Sequence, residues 1–216
     1  MCSSDLPYLP TSLLDDIAIW KRPLTETEIQ KLYALNTEKY VSDSDGNFYN
    51  TITIGTQTWM KENLKVSRYN NGDVIANVTD NTAWSQLTTG AYAFYDNDAS
   101  YNAIYGKLYN WFAATDARGV CPTGWHLPSD TEWTVLSDYL GGASVAGGKM
   151  KAGFYSPPNT GATNESGFTG LSGGNRYPDG NYANIGYFGS WWGSTEVDSS
   201  DAWDSFLVYG DSNLFL

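Results

Sequence analysis

The clearest alternation of apolar and polar residues lies between Gly119 and Gly142, in the segment GVCPTGWHLPSDTEWTVLSDYLGG. Ser129 and Glu132 stand at the spacing of a capping box, in which a hydroxyl and a carboxylate each bond a backbone amide at a helix start. Glycines at 141–142 supply a stop signal. Three apolar residues recur at the spacing of one helical face: Trp133, Leu136 and Leu140. The pattern predicts one main helix at about residues 129–140.

The rest of the second half favours short strands and loops. Gly55-Thr56 suits a two-residue hairpin turn after the strand-like segment Phe48–Ile54. Residues 141–167 are rich in Gly, Asn, Ser and Pro, which predicts a long loop region. Short aromatic segments then predict strands at 168–171, 182–187, 190–194 and 203–209. The predicted class is α+β, with short antiparallel strands, one main helix and long loops.

The first forty residues show a separate pattern. The stretch LDDIAIWKRPLTETEIQKLYAL, at residues 14–35, pairs an alternating strand pattern with a capped apolar helix pattern. It resembles the closing strand and terminal helix of a laminin-G-like, concanavalin-type jelly roll. The resemblance implies that residues 13–36 are a C-terminal fragment of such a domain, followed by a linker at 37–42. Residues 1–12 are expected to be a non-native or disordered start, because MCSSDL resembles a translated sequencing adapter, and Cys2 is set aside with them.

From Asp43 onward, several motifs occur in a fixed order: DGNFYNTITIGTQTWMKENL, YGKLYNWFAA, CPTGWHLPSDTEW and GSWWGSTE. Together they resemble the Fibrobacter succinogenes major paralogous domain. The resemblance covers residues 43–216 and implies a C-type-lectin-like fold, related to the domain of formylglycine-generating enzymes, in bacterial surface and secreted proteins. Domains of this family end in a strand with a Ser-Val-Arg-Cys type motif, whereas this chain ends in NLFL. We therefore expect the last strand to be missing or altered, and Cys121 to be a buried free thiol.

Charge and composition exclude some partners. The formal net charge is −12 and the sequence pI is about 4.3, which disfavours nucleic acid because its phosphates require cationic contacts. No run of about 20 apolar residues predicts a membrane span. No signal peptide is visible in this sequence. An extracellular or cell-surface location is what the family resemblance implies.

A candidate metal site opens the lectin-like region. Asp43, Asp45 and Asn47 alternate around Gly46, which is the opening spacing of a calcium loop. The closing glutamate is missing, and Ile54 stands in its place. The same residues equally suit a polar β-turn, because Asp, Gly and Asn favour turns for backbone reasons. No cofactor is predicted apart from calcium at this loop.

Candidate ligand-binding residues lie near the last hairpin. Flat aromatic rings stack on sugar faces, and carboxylates accept hydrogen bonds from hydroxyl groups. We expect Tyr187 to be exposed, and Trp192 and Trp203 to lie in the core. The predicted ligand-binding residues are Tyr187, Trp191, Glu196 and Asp204. The alternative is a solvated acidic loop beside core aromatics.

No catalytic residues are predicted. His126 is the single histidine, so a histidine-based metal site or triad cannot be assembled, and we expect it to be a hydrogen-bonded structural residue. The predicted function is a non-catalytic extracellular binding or adhesion module, with glycan as the leading ligand and a surface protein second. One alternative is a surface spacer without a ligand pocket. Another is an oxidase like the formylglycine-generating enzymes, which would need Cys121 or two carboxylates converging in a deep pocket.

Overall fold

The computed structural model describes residues 1–4, 25, 40–196 and 202–216. The predicted jelly-roll fragment at 13–36, apart from Thr25, lies outside the described residues, as do residues 37–39 of the predicted linker. The described part is a mixture of small sheets and short helices, which confirms the α+β class.

The first sheet contains β1 (Ser3–Ser4), β2 (Tyr40–Ser42), β3 (Phe48–Ile54) and β4 (Gln57–Met60), in the order β1-β4-β3-β2. The β3–β4 hairpin closes at the predicted two-residue turn, because Ile54 pairs with Gln57. Gly55 has a φ of +62°, a backbone conformation that is strained for a residue with a side chain. The prediction that residues 40–42 belong to a linker is wrong, since they pair with β3.

Residues 1–4 are part of the fold, contrary to the expectation of a disordered start, and residues 5–12 lie outside the described residues. Ser3 pairs with Trp59 of β4, and Cys2 is 1% exposed. Cys2 forms a disulfide with Cys121, and their Cα atoms are 6.0 Å apart. The prediction that Cys121 is a free thiol is therefore wrong. Its partner, Cys2, lies in the segment that was expected to be non-native or disordered.

The second sheet is small and is surrounded by short helices. It contains β5 (Ala76–Asn77), β6 (Ala91–Ala93) and β7 (Leu108–Tyr109), in that order. Around it lie α1 (Asn81–Ser85), α2 (Asn102–Tyr105), α3 (Trp111–Ala114) and the 3-10 turns Tyr95–Asn97 and Ala99–Tyr101. Asp80 and Asn110 cap α1 and α3 through their side chains.

The main helix, α4, spans Asp130–Tyr139, as predicted. The Ser129 hydroxyl accepts a hydrogen bond from the Glu132 amide at 3.3 Å, and the Glu132 carboxylate accepts one from the Ser129 amide at 2.8 Å. The capping box is confirmed. Trp133 and Leu136 are 1% and 0% exposed, so the predicted apolar face does pack into the core.

A second helix, α5 (Ala143–Met150), occupies part of the region predicted to be loop, so that prediction is wrong for these residues. Its glycines explain the error. A Cβ at Gly147 would lie 2.0 Å from the Asn213 carbonyl oxygen, and a Cβ at Gly148 would lie 2.6 Å from that of Gly161. Glycine is needed here for close backbone packing, although it disfavours an isolated helix.

The third sheet contains β8 (Gly173–Arg176), β9 (Tyr182–Ile185), β10 (Phe188–Glu196), β11 (Ala202–Val208) and β12 (Leu214–Phe215), in the order β12-β11-β10-β8-β9. The predicted strands at 182–187, 190–194 and 203–209 fall on β9, β10 and β11. The predicted strand at 168–171 is wrong, because that segment makes only an isolated bridge from Gly170 to Lys151. Residues 214–215 pair with β11.

The main core is aromatic and lies between α4 and the first and third sheets. The Trp59 and Trp133 ring centroids are 4.9 Å apart, and Phe168 lies 5.7 Å from both Trp59 and Trp191. Beside this core lies Lys151, a buried residue that is 1% exposed. It donates to three backbone carbonyl oxygens, those of Thr160, Val208 and Asp211, at 2.8, 2.9 and 2.6 Å.

Candidate functional site

A cleft of about 300 Å³ lies where the second and third sheets approach each other. Its walls come from β7, β8, β10 and β11, and from Met1 and Cys2 at the start of the chain. Small-molecule sites are concave, largely apolar and carry a few polar groups, and the lining of this cleft has that character.

Trp192 forms one wall of the cleft, and its orientation is held. Its Nε1 donates a hydrogen bond to the Tyr109 carbonyl oxygen at 2.8 Å, and its ring lies 5.5 Å from that of Trp111. The side chain is half-buried. The prediction that Trp192 lies in the core is therefore wrong, because strand alternation turns Trp191 inward and Trp192 towards the cleft.

Asp204 is the acidic residue of the cleft wall and is the cross-strand neighbour of Trp192. Within the described residues, no side chain donates a hydrogen bond to its carboxylate. Burial raises the pKa of Asp204, and its own backbone amide offsets this only in part. The charged form is therefore held in a site that solvates it poorly.

The two cationic side chains of the lining each lie over an aromatic ring. Arg176 donates to the carbonyl oxygens of Gly180 and Val78 at 2.9 and 2.5 Å, and its guanidinium carbon lies 4.1 Å from the Trp84 ring centroid. The Lys107 ammonium lies 4.3 Å from the Tyr92 ring centroid and, among the described residues, has no hydrogen-bond acceptor. Burial lowers the pKa of Lys107.

Several polar groups of the cleft retain unused hydrogen-bonding capacity. The Asn175 Oδ1 accepts from the Asn184 Nδ2 at 2.8 Å, which leaves the Asn175 Nδ2 without an acceptor in the described part of the chain. Ser190 is exposed, and no described residue bonds its hydroxyl. Tyr177 is 45% exposed at the rim. The cleft thus offers both donors and acceptors beside aromatic rings.

The four predicted ligand-binding residues separate into two pairs. Trp191 and Asp204 line the cleft, although Trp191 is only 6% exposed and donates from Nε1 to the Asn63 Oδ1 at 2.9 Å. Tyr187 is exposed as predicted and Glu196 is exposed, but both lie outside the lining. Sequence reasoning missed Trp192, Lys107, Asn175 and Tyr177 as cleft residues.

Trp203 departs from its prediction in the opposite direction. It was expected in the core and is 44% exposed. The pairing of β10 with β11 shifts register between Trp192 and Glu196, so regular alternation does not extend to this end of the hairpin.

The predicted calcium loop forms a tight hydrogen-bonded turn. Asp43 accepts from the amides of Asp45 and Asn47 at 3.0 and 2.9 Å, from the Asn47 Nδ2 at 2.8 Å and from the Tyr49 hydroxyl. Asp45 accepts from the Ser67 amide at 2.6 Å. These carboxylates face donors rather than a shared centre, and Asn47 turns its N–H to Asp43. This arrangement fits the β-turn alternative better than a calcium site.

Ser3, His126 and Glu132 form a cluster at the start of α4, but they are not arranged as a catalytic triad. The His126 Nε2 lies 3.3 Å from the Ser3 Oγ and 2.7 Å from the Glu132 Oε1, so one ring nitrogen serves both contacts. A catalytic triad uses opposite nitrogens of the ring. His126 is hydrogen-bonded, as predicted. Burial raises the pKa of Glu132, but hydrogen bonds from Ser129 and His126 outweigh it and leave this pKa lowered.

Membership of a family follows from the match over most of the chain. A family model described as the Fibrobacter succinogenes major domain matches residues 52–214. The chain belongs to this family. The Fibrobacter succinogenes major domain of this chain therefore includes β4 to β11 and the whole cleft wall formed by β7, β8, β10 and β11.

Other comparisons add no relative of this Fibrobacter succinogenes major domain. Neither the curated proteins nor the solved structures include a significant match. None of the helices in the described ranges is long and apolar enough to pass through a bilayer.

Proposed function

We propose that this Fibrobacter succinogenes major domain is a non-catalytic, extracellular or cell-surface binding module with a C-type-lectin-like fold, and that its cleft binds glycan. The observation that supports this most directly is the set of unused polar groups around the held Trp192 ring. Sugar hydroxyls both donate and accept hydrogen bonds, and a pyranose ring presents an apolar face to an aromatic ring. The cleft supplies acceptors at Asp204, donors at Asn175 and Lys107, and rings at Trp192 and Tyr177.

The cleft favours binding over the spacer alternative, since a spacer has no need of a concave site with unused polar groups. A protein is the second candidate ligand. Each partner in a standard protein interface buries roughly 800 Å², which is a larger surface than this cleft offers.

Two observations support a binding role rather than catalysis. The oxidase alternative requires a reactive thiol, and Cys121 is held in a disulfide. Glycoside hydrolysis requires two carboxyl groups, and Asp204 is the acidic residue among those lining the cleft.

The disulfide also supports the proposed location. Cys2 and Cys121 are both buried and bonded, and disulfides persist in oxidising compartments outside the cytosol.

A pair of tyrosine variants tests the proposal. Tyr177 and Tyr187 have nearly equal exposure, 45% and 46%, but only Tyr177 lines the cleft. We expect the wild-type protein to bind at least one glycan on an array. Titration calorimetry with that glycan should then show a loss of about tenfold for Tyr177→Ala, the scale of one stacked ring, and little change for Tyr187→Ala.

Each outcome has a distinct meaning. Absence of binding to every glycan, with the disulfide intact and the fold confirmed by circular dichroism, would overturn glycan binding and favour the spacer. A loss for Tyr187→Ala with none for Tyr177→Ala would move the site from the cleft to the surface around Tyr187.

A further inference from the structure

The charge of Asp204 has no counter-charge in the described residues. Its carboxylate is half-buried in the cleft wall, and the only group that offsets its burial is its own backbone amide. An ionised carboxylate that is removed from water is stabilised most by a cation or by several donors.

The cations that line the cleft do not fill this role. Arg176 donates to the backbone carbonyl oxygens of Gly180 and Val78 and stacks on Trp84. Lys107 lies over the Tyr92 ring, and the acidic residues that act on it are Asp45 and Asp43. Neither cation acts on Asp204.

The surroundings of Asp204 suit a cation that arrives with the ligand. Its cross-strand neighbour Trp192 presents an indole ring whose orientation is held by the Tyr109 carbonyl. An ammonium group beside this pair would form an ion pair with the carboxylate and a cation–π contact with the ring. The chain's net charge of −12 also attracts cationic ligands over longer distances.

We propose that the cleft selects glycans with a free, protonated amino group, that is amino sugars without an N-acetyl group, and that Asp204 pairs with this ammonium beside Trp192. The inference rests on the proposed function and narrows its ligand class. A neutral sugar hydroxyl would hydrogen-bond Asp204 without neutralising it, and a sugar carboxylate would be repelled by it. An N-acetyl group would remove the positive charge while it leaves the sugar backbone unchanged.

The test compares two probes with the same backbone: a tetrasaccharide of glucosamine and the matching tetrasaccharide of N-acetylglucosamine. Affinities are measured by titration calorimetry at mildly acidic pH and low salt, where the amine is protonated. We expect the glucosamine probe to bind about tenfold more tightly, the scale of a charge-assisted hydrogen bond of about 1.4 kcal/mol. Added salt should reduce this preference by screening.

Two Asp→Asn variants test whether the preference for the glucosamine probe depends on Asp204. Asp204→Asn keeps the side-chain shape and should abolish the preference. Asp138→Asn removes the same charge from the exposed face of α4, outside the cleft lining, and should preserve it. Equal loss in both variants would assign the preference to the net charge and overturn the inference.

The remaining outcomes separate the inference from the proposed function. If both probes bind equally, or only the N-acetylated probe binds, the inference is wrong while glycan binding stands. If neither probe binds but the array detects another glycan, the amino-sugar assignment fails alone. If no glycan binds at all, both fail.

Discussion

Trp191 and Trp192 are consecutive residues on β10 with different surroundings. Trp191 is 6% exposed and lies 5.7 Å from the Phe168 ring and 6.2 Å from the Trp133 ring. Trp192 is half-buried and lines the cleft beside Asp204. On this strand, Trp191 thus marks a core side, where the ring packs against other rings, and Trp192 marks a cleft side, where the ring is more exposed.

The difference shows how a small sheet holds a binding surface rigidly. Trp191 anchors β10 to the main core, and Trp192, one residue away, cannot move far from that anchor. A site built on a strand that is packed on its other face is more precise than one built on a free loop.

The largest expected effect is at the core side of this strand. Trp191→Ala should lower the free energy of unfolding by about 3–5 kcal/mol, because it leaves a cavity among packed rings. Trp192→Ala should lower it by about 1–2 kcal/mol, within the usual range for a half-exposed side chain. Urea denaturation monitored by circular dichroism measures both. Equal losses would contradict the division of β10 into two sides.

The disulfide should come next, because it joins the chain start to the cleft wall. The Cys2→Ser/Cys121→Ser double variant should lose about 2–4 kcal/mol, since the bond closes a loop across a sequence separation of 119 residues. Thermal unfolding with and without reductant measures this loss. Reductant should destabilise the wild type and leave the variant unchanged; a wild type insensitive to reductant after unfolding and refolding would contradict the pairing.

On the core side, Glu132 should make stability depend on pH. Its pKa in the folded state is lowered, so its contribution is fully present above the unfolded value of about 4.5 and is lost as pH falls through the folded pKa. At neutral pH, Glu132→Gln should cost about 1 kcal/mol, because it removes the charge that strengthens the hydrogen bonds from Ser129 and His126. Denaturation curves at several pH values should show this difference shrinking below about pH 4.5. A constant difference would contradict the assignment.

On the cleft side, Asp204 should act in the opposite direction and with the smallest effect. Its folded pKa is raised, so its charge lowers stability progressively as pH rises above the unfolded value near 3.8. Asp204→Asn should therefore stabilise the unliganded protein at neutral pH, by on the order of 0.5 kcal/mol, and have no effect at strongly acidic pH. Thermal unfolding across this range measures it. Destabilisation at neutral pH would mean that Asp204 serves the fold.

Local features were predictable from sequence because their causes lie within a few residues. The capping box joins Ser129 to Glu132 three positions away, and the hairpin turn needs only Gly55 and its neighbour. The family motifs contain β3 and β4 of the first sheet, β7 of the second sheet, most of β10 of the third sheet and the first turn of α4, so the resemblance pointed to a mixture of strands and helix.

Features that depend on distant contacts were missed. The helix α5 was read as loop because the reason for Gly147 is the backbone of residue 213, far along the chain. The cleft joins Lys107, Asn175, Trp192 and Asp204 from four strands or their ends, and no local pattern marks such a meeting. Trp191 and Asp204 were found because aromatic and acidic residues are common in binding sites, which is a weak signal that also selected Tyr187 and Glu196.

The buried ammonium of Lys151 links separate segments of the backbone. It gathers the carbonyl oxygens of Thr160, Val208 and Asp211, which ties the irregular segment after α5 to the end of β11 and the turn beyond it. A positive centre surrounded by carbonyl oxygens is what a bound metal ion provides in other proteins. Here it is attached to the backbone by a covalent side chain. It therefore cannot be dialysed away or captured by a chelator, and every molecule that folds carries it in place.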